Sequence, residues 1–117
     1  MADEKLIRLL GDLKQATSQG RLHWTEAEGE NSFRITLGSA VVEIEEEVHG
    51  DDHVYITYNV VVRDEQGKTL QLEFFDNKRL NADHYGLVRE LYDLARRDAL
   101  KIDQVLDSMI SLIQKIQ

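Results

Sequence analysis

Cysteine and proline are both absent from this chain of 117 residues. Without cysteine the chain can form neither disulfides nor a thiolate zinc site, which excludes the disulfide-rich secreted scaffolds. Without proline, helices and hairpins continue uninterrupted, and the turns must be made by Gly, Asn and Asp. The longest apolar runs are about three or four residues, whereas a membrane-spanning helix needs about 20.

Basic charge is also scarce, because 22 acidic residues face 14 Lys and Arg and the net charge is −8. This charge repels phosphate backbones, so it disfavours nucleic acid and favours a basic protein partner. The first residues, Met1–Lys5, lack the basic region and apolar run of a signal peptide. We therefore expect a cytoplasmic protein that uses no membrane and no cofactor.

An apolar fraction of 42% in 117 residues suffices for one globular domain spanning residues 1–117. The first apolar residues recur at helical spacing, and Gly20 follows them as a stop signal. The period then changes to two, which predicts five strands with one apolar face each. The predicted inward residues are Leu22, Trp24, Phe33, Ile35, Leu37, Ala40, Val42, Ile44, Val54, Ile56, Tyr58, Val60, Val62, Leu70, Leu72 and Phe74.

The turns between these strands predict how the strands pair. Gly38-Ser39 suits a two-residue hairpin turn, His49–His53 a five-residue loop, and Asp64–Lys68 a loop with Gly67 left-handed. Each register sets apolar residues opposite apolar residues, and a slip of one residue would undo this. The predicted pairs include Ile35 with Val42, Ile44 with Tyr58, and Val62 with Leu70.

Helical spacing returns after Phe75, with Asn81 as a candidate cap. One straight helix would put Asp98 in the centre of the apolar face, so we predict a break between about Arg97 and Asp103. The expected fold is α+β: an N-terminal helix, a five-stranded antiparallel meander, and two C-terminal helices. A sheet with one apolar face needs a cover, so we expect the helices on that face, in two layers.

The densest group of ionisable residues is Glu43–His53. Period two places Glu43, Glu45 and Glu47 on the outer face, with no second acid directly opposite, so we predict no catalytic residue there. In the adjoining loop, two imidazoles and two carboxylates are candidate metal ligands. The alternative is an ordinary solvated turn, since His, Gly and Asp are common turn residues. The candidates are His49, Asp51, Asp52 and His53.

A pocket between sheet and helices would be lined by Trp24, Glu46 and Tyr58, because Glu46 alone among the acids of its strand points inward. An interaction surface is the other expectation. The last helix carries more apolar surface than one small sheet face needs, and it could complete a homodimer. Apolar residues on the outer face of the sheet could add to such a surface. The candidate interaction residues are Met109, Ile110, Leu112, Ile113, Ile116, Tyr55 and Phe75.

No phosphate-binding loop, nucleotide fingerprint, serine elbow or zinc-protease motif is present, so catalysis is not predicted. The leading hypothesis is a non-catalytic protein-interaction domain, such as an adaptor, chaperone or immunity-type protein. A small-ligand or enzymatic pocket is the first alternative. The second alternative is DNA binding, because Leu94–Val105 has the outline of a helix-turn-helix with Arg96, Arg97 and Lys101 nearby.

Two stretches, LKQATSQGRLHW (13–24) and LYDLARRDALKIDQVL (91–106), resemble a loosely defined group of small, uncharacterised bacterial α+β domains. The resemblance implies a bacterial source and carries no functional residue with it. In size, acidity and helix–sheet–helix layout the chain is also similar to type III secretion chaperones.

Overall fold

The computed structural model of this protein describes residues 3–116. Met1 and Ala2, which belong to the segment considered for a signal peptide, lie outside the described residues, as does Gln117. Within the described part of the chain, no helix is both long and apolar enough to cross a membrane. The elements are α1 (Glu4–Ser18), β1 (Thr25–Glu26), β2 (Ser32–Leu37), β3 (Ala40–His49), β4 (Tyr55–Asp64), β5 (Thr69–Phe75), a 3₁₀ turn (Ala82–His84), α2 (Tyr85–Ala99) and α3 (Ile102–Ile116).

The five strands form one antiparallel sheet in the order β1-β2-β3-β4-β5, which confirms the α+β class and the meander. The first strand differs from its prediction, because β1 is only Thr25–Glu26 and both residues are exposed. Leu22 and Trp24 precede it without pairing. The N-terminal edge of the sheet is therefore short, which limits pairing with other chains.

The helical layer consists of α1 and α2. α2 contacts β1, β2, β3 and β4, and α1 packs against α2. One hydrophobic core joins both helices to the inner face of the sheet. Its largest fully buried side chains are Leu10, Ile44, Val60, Phe75, Val88 and Leu91.

α3 differs from the expectation that both C-terminal helices pack on the sheet. None of its described residues is buried, and it contacts α2. A compact chain of this length has a radius of gyration of about 13 Å. The observed value of 16.0 Å is consistent with a helix that projects from the domain.

Trp24 is a core anchor, as its alternation with Leu22 suggested, and it is 3% exposed. Its indole Nε1 donates to Thr17 Oγ1 at 2.9 Å, and the Thr17 hydroxyl donates to the Leu13 carbonyl at 2.7 Å. The Asp98 carboxylate accepts from the Trp24 backbone N–H and lies 3.2 Å from His23 Nδ1. These bonds join α1, the segment before β1, and the end of α2.

The β2–β3 hairpin has the predicted register, with Phe33 opposite Ile44 and Ile35 opposite Val42. Gly38 has φ +62, as the first central position of such a turn requires, and a residue with a Cβ would be strained there. The prediction is therefore confirmed for this hairpin, where the turn alone sets the pairing.

The β3–β4 pairing is shifted by two residues from the prediction. Ile44 lies opposite Val60, and Tyr58 lies opposite Glu46. The reason is that His49 pairs with Tyr55, so the loop contains residues 50–54 rather than 49–53. Since a shift of two preserves the side-chain period, the residues of β3 and β4 keep their predicted faces. Val54, predicted inward, instead lies in the loop and is 67% exposed.

The β4–β5 pairing contains a bulge that reverses the faces of β5. Arg63 pairs with Thr69 as the loop predicts, but Val62 then pairs with Gln71, so that Leu70 is left unpaired. Leu72 and Phe74 consequently point outward and are 46% and 42% exposed. The predicted outward position of Phe75 is wrong, because it is fully buried in the core and cannot contribute to a surface.

The end of β5 is closed by a carboxylate-centred turn. Asp76 Oδ1 accepts from the backbone N–H groups of Lys78, Arg79 and Leu80, which hold the pKa of Asp76 below its ordinary value. Asn81 is not a side-chain cap. Its amide instead donates to the Phe74 carbonyl at 2.8 Å and so occupies part of the open edge of β5.

The break predicted near Asp98 is confirmed, because α2 ends at Ala99 and α3 begins at Ile102. Lys101 between them is left-handed, with φ 55. Asp103 pairs with Arg97 across the junction. The chain therefore turns at Lys101, and the exposed Arg97–Asp103 pair spans the junction.

We expect Thr17→Val to reduce the free energy of unfolding by about 1–3 kcal/mol, because the buried indole N–H of Trp24 loses its acceptor. Urea unfolding followed by Trp24 fluorescence measures this, as the chain has one tryptophan. Thr36→Val, at an exposed strand position, is the matched control. Equal stabilities of the two variants would contradict the role of this hydrogen bond.

Candidate functional site

The first candidate surface is the apolar side of α3. Seven aliphatic side chains on this helix are between 45% and 83% exposed. They recur at three- and four-residue intervals, which places them along one side of the helix. They are Val105, Leu106, Met109, Ile110, Leu112, Ile113 and Ile116. Five of them are the helix residues that the sequence predicted for an interaction surface.

The loop after β3 does not bring the candidate metal ligands together. His49 instead stacks on Tyr55 with ring centroids 4.9 Å apart, and its Nε2 lies 3.3 Å from Glu47 Oε2. Asp51, Asp52 and His53 are exposed. Among residues 3–116, no three His, Cys, Asp or Glu side chains are arranged to hold a metal ion.

A cleft of about 840 Å³ opens between α2 and the inner face of β3 and β4. Of the three predicted pocket residues, Glu46 and Tyr58 line it, whereas Trp24 lies in the core. The Tyr58 hydroxyl donates to Glu46 Oε2 at 3.0 Å, which orients the carboxylate. Its lining residues are Lys14, Asn31, Glu46, Tyr58, Arg89, Glu90, Tyr92, Asp93, Leu94 and Arg96.

Charge of both signs reaches this cleft. Lys14 and Glu90 neutralise each other in an ion pair, whereas Glu46, Arg89 and Arg96 form none within the described residues. Burial, followed by the neighbouring Glu46 carboxylate, raises the pKa of Tyr58 above its ordinary value. The same two causes raise the pKa of Tyr92 to about 12. Both phenols therefore stay protonated at neutral pH, and that of Tyr58 donates its hydrogen bond to Glu46.

The outer face of the sheet carries a third candidate surface. Along β3, Glu43, Glu45 and Glu47 point outward as predicted. Glu43 is paired with Arg63 at 3.0 Å, whereas no basic side chain within residues 3–116 forms an ion pair with Glu45. Burial, a hydrogen bond with Glu47, and the negative charges of its neighbours raise the pKa of Glu45. The carboxylate form of Glu45 is thus destabilised in the folded chain.

Asn59 is the polar residue at the centre of this face. It lies opposite Glu45 on one side and Phe74 on the other, and only 6% of it is exposed. Its Nδ2 donates to Glu45 Oε1 at 3.1 Å. Its Oδ1 accepts no hydrogen bond from the residues that the structure describes. A buried acceptor without a donor costs free energy, which a donor from outside the described residues would offset.

Sequence reasoning missed the outward position of Leu72 and Phe74 and the burial of Asn59. Strict alternation placed Leu72 and Phe74 inward, since a bulge leaves no pattern in the strand itself. The signal that could have revealed the bulge is the doublet Phe74–Phe75, where only one aromatic ring can face the core. Tyr55 is outward and 48% exposed, as expected.

No protein-family model, curated protein or solved structure matches this chain. The resemblance to small bacterial domains and to secretion chaperones therefore stays a prediction. The candidate surfaces are assigned from geometry and chemistry alone.

We expect Glu45→Gln to leave the free energy of unfolding at pH 7 unchanged or higher, because it removes a destabilised carboxylate. Since the pKa of Glu45 is raised in the folded state, its cost is fully present above that pKa. The cost disappears as pH falls through that pKa toward the unfolded value of about 4.3, and any gain of the variant disappears with it.

Glu43→Gln is the matched control, because it has the same chemistry but breaks the ion pair with Arg63. We expect it to lower the free energy of unfolding by about 0.2–1 kcal/mol at pH 7. Denaturant unfolding at pH 7 and at pH 4 measures both variants. A larger loss of free energy of unfolding from Glu45→Gln than from Glu43→Gln would contradict the destabilisation of the Glu45 carboxylate.

Proposed function

We propose that this chain is a non-catalytic protein-interaction domain of adaptor, chaperone or immunity type that self-associates through α3. The observation that carries the proposal is the uncovered apolar side of α3. An unfolded chain exposes about 1.45 Å² per dalton, so the seven side chains present roughly 600 Å². A standard interface buries about 800 Å² per partner, and the polar rim of the helix would supply the area that the seven side chains do not.

A second copy of this chain is the occupant that fits this side best. Positions 102, 105, 109, 112 and 116 follow the spacing of a coiled-coil seam. The first half of α3 carries Asp103 and Asp107, and the last turn carries Lys115. An antiparallel pair centred near Met109 would bring Lys115 of each copy near the acidic half of the other.

The remaining features of the chain fit the same proposal. The net charge of −8 favours a basic protein as a further partner and disfavours nucleic acid. In the helix-turn-helix alternative, Arg97 would serve phosphate contacts, but it is already paired with Asp103. The lack of cysteine supports the reducing cytoplasm as the location.

The dimer is tested by light scattering after size exclusion at micromolar concentration. We expect twice the chain mass of 13.5 kDa for the wild type and the chain mass itself for Met109→Asp/Ile113→Asp. Folding should be unaffected, because neither residue is buried. Gln104→Asp/Ser111→Asp adds the same charge to the polar side of α3 and should stay dimeric. A wild-type monomer would overturn the self-association.

The cleft beside α2 supports a second candidate function, which is binding of a small zwitterion such as a free α-amino acid. The specific observation is that one wall holds the oriented carboxylate of Glu46 while Arg89 and Arg96 lie on α2. An amine could pair with Glu46 and a carboxylate with either guanidinium. The phenol of Tyr92 is a further donor.

Ligand-observed NMR with the common amino acids tests this candidate. We expect millimolar or tighter binding for at least one, weakened about tenfold by Glu46→Gln, since charge-assisted hydrogen bonds are worth about 1.5–3 kcal/mol. Glu28→Gln, an exposed acid that does not line the cleft, should bind as the wild type does. No binding, or equal binding to both variants, would rule it out.

A further inference from the structure

We propose that the outer face of the sheet docks a basic amphipathic helix of a partner protein. This inference deepens the proposed interaction function and uses a surface separate from α3. Three parallel columns of side chains on adjacent strands form this surface. An acidic column lies on β3, a mostly polar column on β4, and an apolar column on β5.

The cross-strand register aligns these columns. One row contains Glu45, Asn59 and Phe74, and the neighbouring row contains Glu43, Val61 and Leu72. Because neighbouring strands are about 4.8 Å apart, the acidic and apolar columns are separated by about 10 Å. An α-helix with its side chains is about 10–12 Å across, so a helix lying along β4 would touch both columns.

The spacing along the strands also suits a helix. Outward residues of a strand recur about every 6.8 Å, as Glu43, Glu45 and Glu47 do on β3. Residues four apart on a helix rise about 6 Å, so basic side chains at this interval would face the three acids, of which Glu43 is already paired with Arg63. The apolar side of the same helix would then cover Leu72 and Phe74.

The described residues place no positive charge beside the Glu45 carboxylate. Glu45 has no basic partner, and it is crowded by Glu43 and Glu47. A Lys or Arg from a partner would relieve that repulsion and bring donors next to Asn59, whose Oδ1 is unpartnered. The buried Asn59 Oδ1, which accepts no hydrogen bond from the described residues, distinguishes this face from an ordinary acidic surface.

The apolar column on β5 exposes side chains that the same partner helix would cover. Leu70, Leu72 and Phe74 are 58%, 46% and 42% exposed, and together they present roughly 250 Å². Patches of a few hundred Å² on a monomer are often functional. α3 of a second copy suits this face less well, because Asp103 and Asp107 outnumber Lys115 on that helix and would meet the acidic column.

The probe for this surface is a synthetic peptide of about 18 residues, with Leu and Lys at amphipathic helical spacing. We expect micromolar binding by calorimetry that weakens as salt increases. Chemical-shift changes should map to β3, β4 and β5 and not to α3. A peptide with Glu in place of Lys, and a scrambled peptide of the same composition, should not bind.

Two variants and two matched controls test the contacts. Glu45→Gln/Glu47→Gln and Phe74→Ser should each weaken binding about tenfold. Asp12→Asn/Asp83→Asn, which removes the same charge from the helical side, and Val54→Ser, an exposed apolar residue outside the columns, should change it less than about twofold. All six substituted positions lie outside the core, so the four variants should keep the fold, which circular dichroism checks.

Absence of binding, shift changes confined to α3, or equal losses in test and control variants would each overturn the proposal. Repeating the titration with Met109→Asp/Ile113→Asp separates the two surfaces. Peptide binding that persists in this variant is expected. A monomeric wild type that still binds the peptide would remove the α3 proposal and leave this one standing.

Discussion

One unpaired residue in β5, Leu70, decides which side chains of that strand belong to the core. Because a strand has a side-chain period of two, the single extra residue exchanges the two faces beyond it. Phe75 thereby becomes fully buried beneath the helices, and Leu72 and Phe74 face outward beside Asn59. Both the filled inner face and the apolar column of the outer face depend on this bulge.

The second constraint is the number of helices that the inner face can hold. α2 contacts β1 to β4, and α1 packs against α2 within the same core. The Asp98 carboxylate ties the end of α2 to the segment before β1. In one continuous helix, Asp98 would lie in the centre of the apolar side. The chain instead turns at Lys101, so α3 leaves the domain with its apolar side uncovered.

Two uncovered surfaces of different chemistry result. α3 is apolar with few charges of either sign, which suits another copy of itself. The outer face of the sheet combines unpaired acid with apolar surface, which suits a basic amphipathic partner. The edges of the sheet are partly protected, by the shortness of β1 and by the Asn81 amide on the Phe74 carbonyl.

The amino-acid sequence by itself determined the fold class, the order of the elements, the β2–β3 register, the break after α2, and the inward direction of Glu46. These follow from local periodicity and turn chemistry, which act over a few residues. The β3–β4 shift, the bulge at Leu70 and the exposure of α3 were decided only by tertiary structure. In each case several local arrangements are close in energy, and packing against distant residues, such as Phe75 against the helices, selects one of them.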